Sequence, residues 1–463
     1  MALELTQPSL QELFESTIQT EDRLKIRDFL DDQNISDVAH LVDEYPEYQS
    51  QIIANMSVHR AASVFKILDL SVQKTVIRDL PANTTASLLN ELPADDRTDF
   101  LEELPSNVVR ELIKLLDPEE RKVTLSLLGY PENSIGRLMT PDYVYVYPWN
   151  TIEEVFSTIR KFGKDSETIN VIYIINEKGE LLDDIRIREF ILNPPDKKVS
   201  ELMDERFIAL QPDHDQETAA EVFKMNNRVA LPVVSKSNKL LGIVTIDDML
   251  WVTAEEFSED MQKMGGTAAL REPYLEIPIF KLFKKRVVWL VVLFLGELLT
   301  ASAMAFFEDE IKRAVVLALF VPLIISSGGN SGSQASTLII QAMAVGEITV
   351  KDWWRVMRRE IISGLLLGTV LGVLGFFRIY AWHSFDPTLY GSFWLPIGIT
   401  VAVTLLGVVL WGTLSGSMLP LLLKRLGADP AVSSAPFVAT LVDVTGLIIY
   451  FSVAFALLSG GLL

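Results

Sequence analysis

A single carboxylate, Asp443, stands in an otherwise uncharged run from Val432 to Leu463 that contains PFVATLVDVTGLIIYFSVAFALL. A charge at the centre of a membrane helix costs about 2.5–3.5 kcal/mol even on lenient insertion scales. Solubility does not account for it, because its neighbours are Val, Ile, Leu, Phe and Ala. A polar pathway is the first chemistry to consider, and a carboxylate suits a cation. The alternative is a structural aspartate that caps a broken helix or binds a neighbour. Asn330 and Gln334 offer further oxygen atoms from a second apolar stretch, within SSGGNSGSQ at 326–334. Glu297 and Glu360 are additional carboxylates. Glu360 adjoins a basic cluster, where a surface ion pair accounts for it. Glu297 lies deeper and could face the path, pair with a neighbour or sit in a water-filled crevice.

Five apolar stretches long enough to cross a bilayer must carry these groups: 286–307, 313–345, 357–381, 393–423 and 433–461. Ten basic residues flank one side, namely Lys281, Lys284, Lys285, Arg286, Lys351, Arg355, Arg358, Arg359, Lys424 and Arg425. Three, Lys312, Arg313 and Arg378, lie on the other. The positive-inside rule then places the N-terminal side in the cytoplasm. An odd number of spans places Leu463 outside. The run 326–334 reads either as a broken helix lining a path, since freed backbone at membrane depth needs protein or water around it, or as a small-residue seam for close helix approach. Gly364, Gly368 and Gly372, with Gly412, Ser415 and Gly416, read as packing positions.

The rest of the chain differs in kind. Residues 271–463 hold 14 Lys and Arg against 12 Asp and Glu, which leaves 27 basic and 49 acidic residues in 1–270. Nucleic acid, which calls for basic patches, is excluded as the obvious partner. The acidity favours cations as partners or serves solubility alone. The chain has no cysteine, and its four histidines (His40, His59, His214, His383) are scattered, so thiolate chemistry is absent and a zinc site is not expected. No nucleophile–base constellation suggests an enzyme. Met1 opens directly into polar sequence, so no signal peptide is expected.

Leu68, Leu80, Leu92, Leu104 and Leu116 mark a twelve-residue period, and Pro81, Pro93 and Pro105 follow three of them. Each unit, such as PADDRTDFLEEL at 93–104, places Pro at the first helical position and offers two apolar turns. Units this short stack into a solenoid. Residues 138–253 alternate short strands (VYVYP, NVIYIINEKGEL, IALQP, ALPVV, GIVTI) with helices at 151–162 and 216–226. The order is that of a duplicated βαββα unit, and it resembles a pair of CBS domains. GIVTIDD at 242–248 fits their ribose-binding pattern, with Thr245 and Asp248 able to bond sugar hydroxyls. ATP or another adenine nucleotide is thus expected in the cleft of the second copy. The first copy departs, with Asp183 and Asp184 where a glycine-led strand is usual.

The complete order (solenoid, CBS pair, acidic connecting helix, five spans) resembles the MgtE family of magnesium channels. VPLIISSGGNSGSQASTLIIQA, DWWRVMRREIISGLLLG, LKRLGADPAV and PFVATLVDVTGLIIY carry the likeness. It implies a multi-domain fold: an all-α short-helix solenoid over 1–130, an α/β CBS pair over 131–253, a plug helix over 254–280 and an all-α five-helix transmembrane domain over 281–463. It also implies a homodimer in a cell (inner) membrane whose central pore carries Mg²⁺ inward. Mg²⁺ prefers octahedral oxygen at about 2.1 Å and sheds water reluctantly. Asp443 from two copies would then face a hydrated ion, with Asn330 and the backbone carbonyls around Ala439 and Thr440 bonding its water. Closure on cytoplasmic Mg²⁺ would use Asp95 and Asp99 of the solenoid, Asp215 and Glu217 of the second CBS copy, and Asp248, Glu256, Glu259 and Asp260 of the plug helix, which Asp248 begins. The chain departs from the family at Ser63, Asn227 and Trp251, where acidic ligands are frequent, and at Ala435, where an asparagine can precede the pore aspartate. The competing function is an ion-coupled secondary transporter with Asp443 as its coupling site; a non-transporting sensor would leave the second span without a role.

Overall fold

The computed structural model describes residues 9–20, 22–270, 274–275 and 277–459; Leu463, expected on the outer side, lies outside the described residues. The chain forms two compact units that divide between Ala254 and Glu255.

The first unit begins with ten helices of 7–10 residues, from Leu10–Ile18 to Pro118–Leu127. None is long enough to be stable alone, and most pack against the helix two along the chain. The leucine period supplies the core: Leu68, Leu80, Leu92 and Leu116 are buried, with Leu104 packed against them. The prolines sit one position earlier than expected. Pro81, Pro93 and Pro105 are the N-cap residues of Ala82–Glu91, Ala94–Glu102 and Ser106–Ile113. Their extended ψ of 138–152° turns each carbonyl into the first helical acceptor. A residue before proline is pushed out of the helical region, so Leu80 and Leu92 end their helices extended and drop into the core. Arg97, fully buried, pins the stack by donating to Thr124, to the carbonyls of Leu89 and Leu92, and to Glu120.

The CBS pair follows. In the first copy Tyr143–Val146 runs parallel to Thr168–Ile175, which pairs antiparallel with Leu181–Arg186. Ile152–Phe162 covers this sheet through Ile152 and Val155. In the second copy Ala230–Val234 and Leu240–Thr245 form an antiparallel pair beside Gln216–Asn226. The expected strand IALQP is reduced to a single bridge from Leu210 to Val233. Val171, Tyr173, Ile175, Val234, Leu240 and Ile243 join the two copies in one core. The acidic pair of the first copy is structural. Asp183 accepts from the backbone of Asp184, Asp204 and Glu205, and Asp184 pairs with Arg228 at 3.0 Å.

Five helices in the second unit are long and apolar enough to cross a membrane: Ile279–Phe306, Val315–Ala344, Val350–Phe385, Gly391–Arg425 and Ala435–Leu458. The expected break at 326–334 is not there, because Val321–Ala344 runs through it as one helix. The small residues serve close approach instead. A β-carbon at Gly412 or Gly416 of the fourth span would overlap the carbonyl oxygen of Gly328 or Gly332 of the second. The second span breaks earlier, between Val315–Ala318 and Val321, where Pro322 sits in the first turn of the longer helix. Tyr450 satisfies the break by donating to the Leu317 carbonyl at 2.8 Å. Gly368 and Gly372 of the third span lie against the backbones of Leu406 and Ala402, as packing positions should.

Candidate functional site: a membrane carboxylate and an acidic junction

Asp443 lies in the N-terminal half of Ala435–Leu458, a helix started by Ser434, whose hydroxyl caps Phe437. It is half-buried between two other spans. Gly329 of the second span faces it: a β-carbon there would sit 3.5 Å from Cβ of Ala439 and 3.6 Å from Oδ1 of Asp443. From the first span, Glu297 reaches Asp443 side chain to side chain, and Gly296 packs on Thr440. Two carboxyl groups in contact at membrane depth need a proton or a cation between them. Thr440 spends its hydroxyl on the Pro436 carbonyl at 3.0 Å.

Asn330 follows Gly329 directly in the chain and bonds weakly to Ser326, one turn back, at 3.4 Å. Ser326, Asn330, Gln334, Thr337 and Gln341 form an exposed polar stripe along the second span. The opposite face is anchored by serines: Ser333 donates to the Ala435 carbonyl at 3.0 Å and Ser336 to that of Ser433 at 2.8 Å. Ala435, where the family can have asparagine, thus contributes its backbone to helix docking.

A second constellation forms in the first unit. Asp95 and Asp96, in the first turn of Ala94–Glu102, meet Asp247 and Asp248, in the first turn of Ile246–Met264. Glu167, beside the strand Thr168–Ile175, joins them, and Lys66 is the cation among them, 3.3 Å from Asp96. Both helix N-termini favour negative charge, yet the crowding is severe. Asp95 is 6% exposed, and its Oδ1 has no hydrogen-bond partner among the described residues. Burial first, then the charges of Asp248, Asp96 and Glu167, hold its carboxyl well above the usual range. Burial, aided by Asp247, raises Asp248 to about 7 despite bonds from Thr245. Glu167 and Asp96 are also raised, chiefly by burial. Burial opposes the charge on Lys66, but Asp96 and Glu167 outweigh it.

Thr245, expected to bond a ribose, is held within this cluster. Its hydroxyl lies 2.5 Å from Asp247 and 2.8 Å from Asp248. One hydroxyl proton cannot serve two ionised carboxylates, so one oxygen needs a proton or a cation of its own.

The other expected ligands are dispersed. Asp99 lies in the same helix as Asp95 but on its exposed side. Asp215 is the N-cap of Gln216–Asn226 and accepts from the Glu217 backbone at 2.9 Å, so one of its oxygens has a local task. Glu259 is ion-paired with Lys263 at 2.5 Å; Glu256 and Asp260 lie on the same helix, partly buried. Asn227, where the family often has an acid, closes its helix at φ 48°, a conformation asparagine tolerates. Ser63 donates to the His59 carbonyl, and Trp251 is 67% exposed. Asp96, Glu167 and Asp247 were not singled out by sequence. The doublets Asp95–Asp96 and Asp247–Asp248 were a signal for two of them; Glu167 had none. Among the described residues, no three Asp, Glu or His side chains already form a metal cage.

Family models match across most of the chain. The MgtE divalent cation transporter model covers residues 321–453, the MgtE intracellular N domain 9–133 and the CBS domain 199–255. The magnesium transporter MgtE of Thermus thermophilus is 41% identical over 349 residues, which is 75% of each chain. That of Bacillus subtilis is 30% identical over 436 residues, or 93% of this chain and 94% of the relative. A crystal structure of the soluble part of a magnesium transporter shares the fold at 24% identity and a TM-score of 0.51, covering 54% of this chain and 99% of that one. With its helical N domain, CBS pair and five apolar helices, the chain belongs to the MgtE family of magnesium transporters.

Proposed function

We propose that the chain works as a homodimeric Mg²⁺ channel that admits hydrated Mg²⁺ past Asp443 and closes when cytoplasmic Mg²⁺ fills the acidic junction. The observation that carries the pathway is the exposed polar stripe of the second span beside Asp443. Lipid does not accept Asn and Gln side chains readily. A second copy, with water between, would cover them. The distribution of Lys and Arg among the loops supports a cytoplasmic soluble half. A divalent ion then gains about 4.6 kcal/mol per 100 mV, inside negative.

Closure rests on the junction. Asp95, Asp96, Glu167, Asp247 and Asp248 repel one another when ionised, and a bridging divalent ion removes the repulsion. Without it the solenoid and CBS pair loosen; with it they compact, and the connecting helix, with Glu256 and Asp260, follows. Mg²⁺ that keeps part of its water suits a cluster without a ready-made cage. An adenine nucleotide at GIVTIDD would compete for Thr245 and Asp248, which ties nucleotide binding to ion occupancy.

The contact of Asp443 with Glu297 favours a second reading, an ion-coupled transporter, because a carboxyl pair can carry a proton. Mg²⁺ uptake into proteoliposomes separates the two. Uptake without a proton gradient, lost roughly tenfold or more in Asp443→Ala and largely kept in Asp443→Glu, is the channel result. Uptake that requires an imposed proton gradient overturns it.

A further inference from the structure

We propose that Lys263 is a built-in cation that fastens the end of the connecting helix to the mouth of the fifth membrane helix, and that Glu259 belongs to this fixed clasp instead of an ion-sensing pair. Nζ of Lys263 lies 2.5 Å from Glu259, on its own helix, and 2.7 Å from Asp429, 166 residues away. The three side chains are 28%, 27% and 34% exposed, so the bridge is not the fully solvated surface pair whose contribution vanishes. Hydrogen bonds and charge from Asp429 and Glu259 outweigh the burial of the ammonium and keep it protonated.

Asp429 performs two tasks. While one oxygen holds Lys263, the other accepts from the Ala431 backbone at 2.8 Å and starts the 3₁₀ turn Pro430–Val432. Ser433 and Ser434 follow at once, the first bound through its carbonyl to Ser336 of the second span, the second capping the helix that bears Asp443. A second contact runs alongside. Gly266, at φ +74°, turns the chain back over Trp289 so closely that a β-carbon would meet the indole at 2.6 Å. Trp289 donates to the Ser434 hydroxyl at 3.2 Å and packs on Phe437. Lys285 then holds the Ala269 carbonyl at 2.7 Å. Every link is made by protein groups. A displacement of the connecting helix therefore reaches the N-cap of the Asp443 helix through contacts that need no dissolved ion.

Two measurements on the full-length protein test this. The first, limited proteolysis between 255 and 270 in detergent without Mg²⁺, does not depend on gating. Cleavage rises in Lys263→Met and stays at the wild-type level in Lys263→Arg; equal cleavage in all three overturns the clasp. The second rests on the closing reaction proposed above. In proteoliposomes with high Mg²⁺ on the soluble-half side, Lys263→Met leaks about fivefold more Mg²⁺ than wild type, and Lys263→Arg does not. Wild-type flux indifferent to that Mg²⁺ defeats the closing reaction and leaves the proteolysis result to decide the clasp. Wild-type closure with an equally closed Lys263→Met defeats the clasp. Asp429→Asn, which can keep the cap on Ala431, cuts the same bridge from its other end if the lysine variant folds poorly.

Discussion

At the junction of solenoid and CBS pair, five carboxylates face one ammonium, Lys66; at the end of the connecting helix, two carboxylates hold one ammonium, Lys263. The residue types are the same and the charge balance is not. In the first region the chain leaves about four negative charges to be neutralised by protons or ions, and burial raises the cost of leaving them exposed to one another. In the second it supplies nearly enough positive charge itself. A carboxylate cluster thus answers to dissolved cations only to the extent that its own lysines leave it unbalanced.

Neutralising the unbalanced cluster should have the largest effect. Asp95→Asn with Asp248→Asn removes the repulsion without Mg²⁺, so the thermal midpoint of the ion-free protein rises by about 5 °C or more and the further rise on adding Mg²⁺ shrinks. An unchanged Mg²⁺ increment would separate the cluster from ion binding. Next comes pH. Asp248 keeps its proton up to about 7 in the folded chain, against an ordinary value of 3.8. Between those values the folded state binds the extra proton, so stability falls as pH rises through the window. The midpoint of the ion-free protein should decline from about pH 4 to about pH 7, and saturating Mg²⁺ should flatten the decline; a level ion-free curve contradicts the burial of Asp248. The smallest effect belongs to the balanced cluster. Glu259→Gln leaves Lys263 with Asp429, and the Mg²⁺ concentration for half-closure should move less than about twofold. A larger shift would return Glu259 to the ion-sensing set.

How much of this is legible in sequence depends on how local each cause is. The five spans are written in apolar length, and the solenoid in a leucine period whose prolines force each preceding leucine out of the helix. Asp443 announces itself because nothing around it is charged. The second span misleads, since glycines at membrane depth mark both broken helices and close packing. The deciding partners, Gly412 and Gly416, are more than eighty residues away. Asp95 and Asp248 could be singled out, but Glu167 joins them only because a strand of the first CBS copy starts beside the solenoid. Lys263 reads as an ordinary lysine one turn after Glu259 until Asp429 arrives from the far end of the chain. Asp215, chosen for its charge, has a local task that its sequence position also announces, the N-cap of Gln216–Asn226.

The contact between Gly328, Gly332, Gly412 and Gly416 has a mechanical meaning. Side chains that interlock can hop between rotamers and let helices slip; backbone resting on backbone offers no such freedom. The second and fourth spans therefore behave as one beam, and at those four positions only hydrogen is admitted. The first span is the contrary case, with no buried residue along its length Ile279–Phe306. The first span and its meeting with Asp443 are thus the less tightly packed part of the bundle, beside a beam that is backbone on backbone. Drift in sequence should follow the same division, broad along the first span and nearly frozen at four hydrogen atoms.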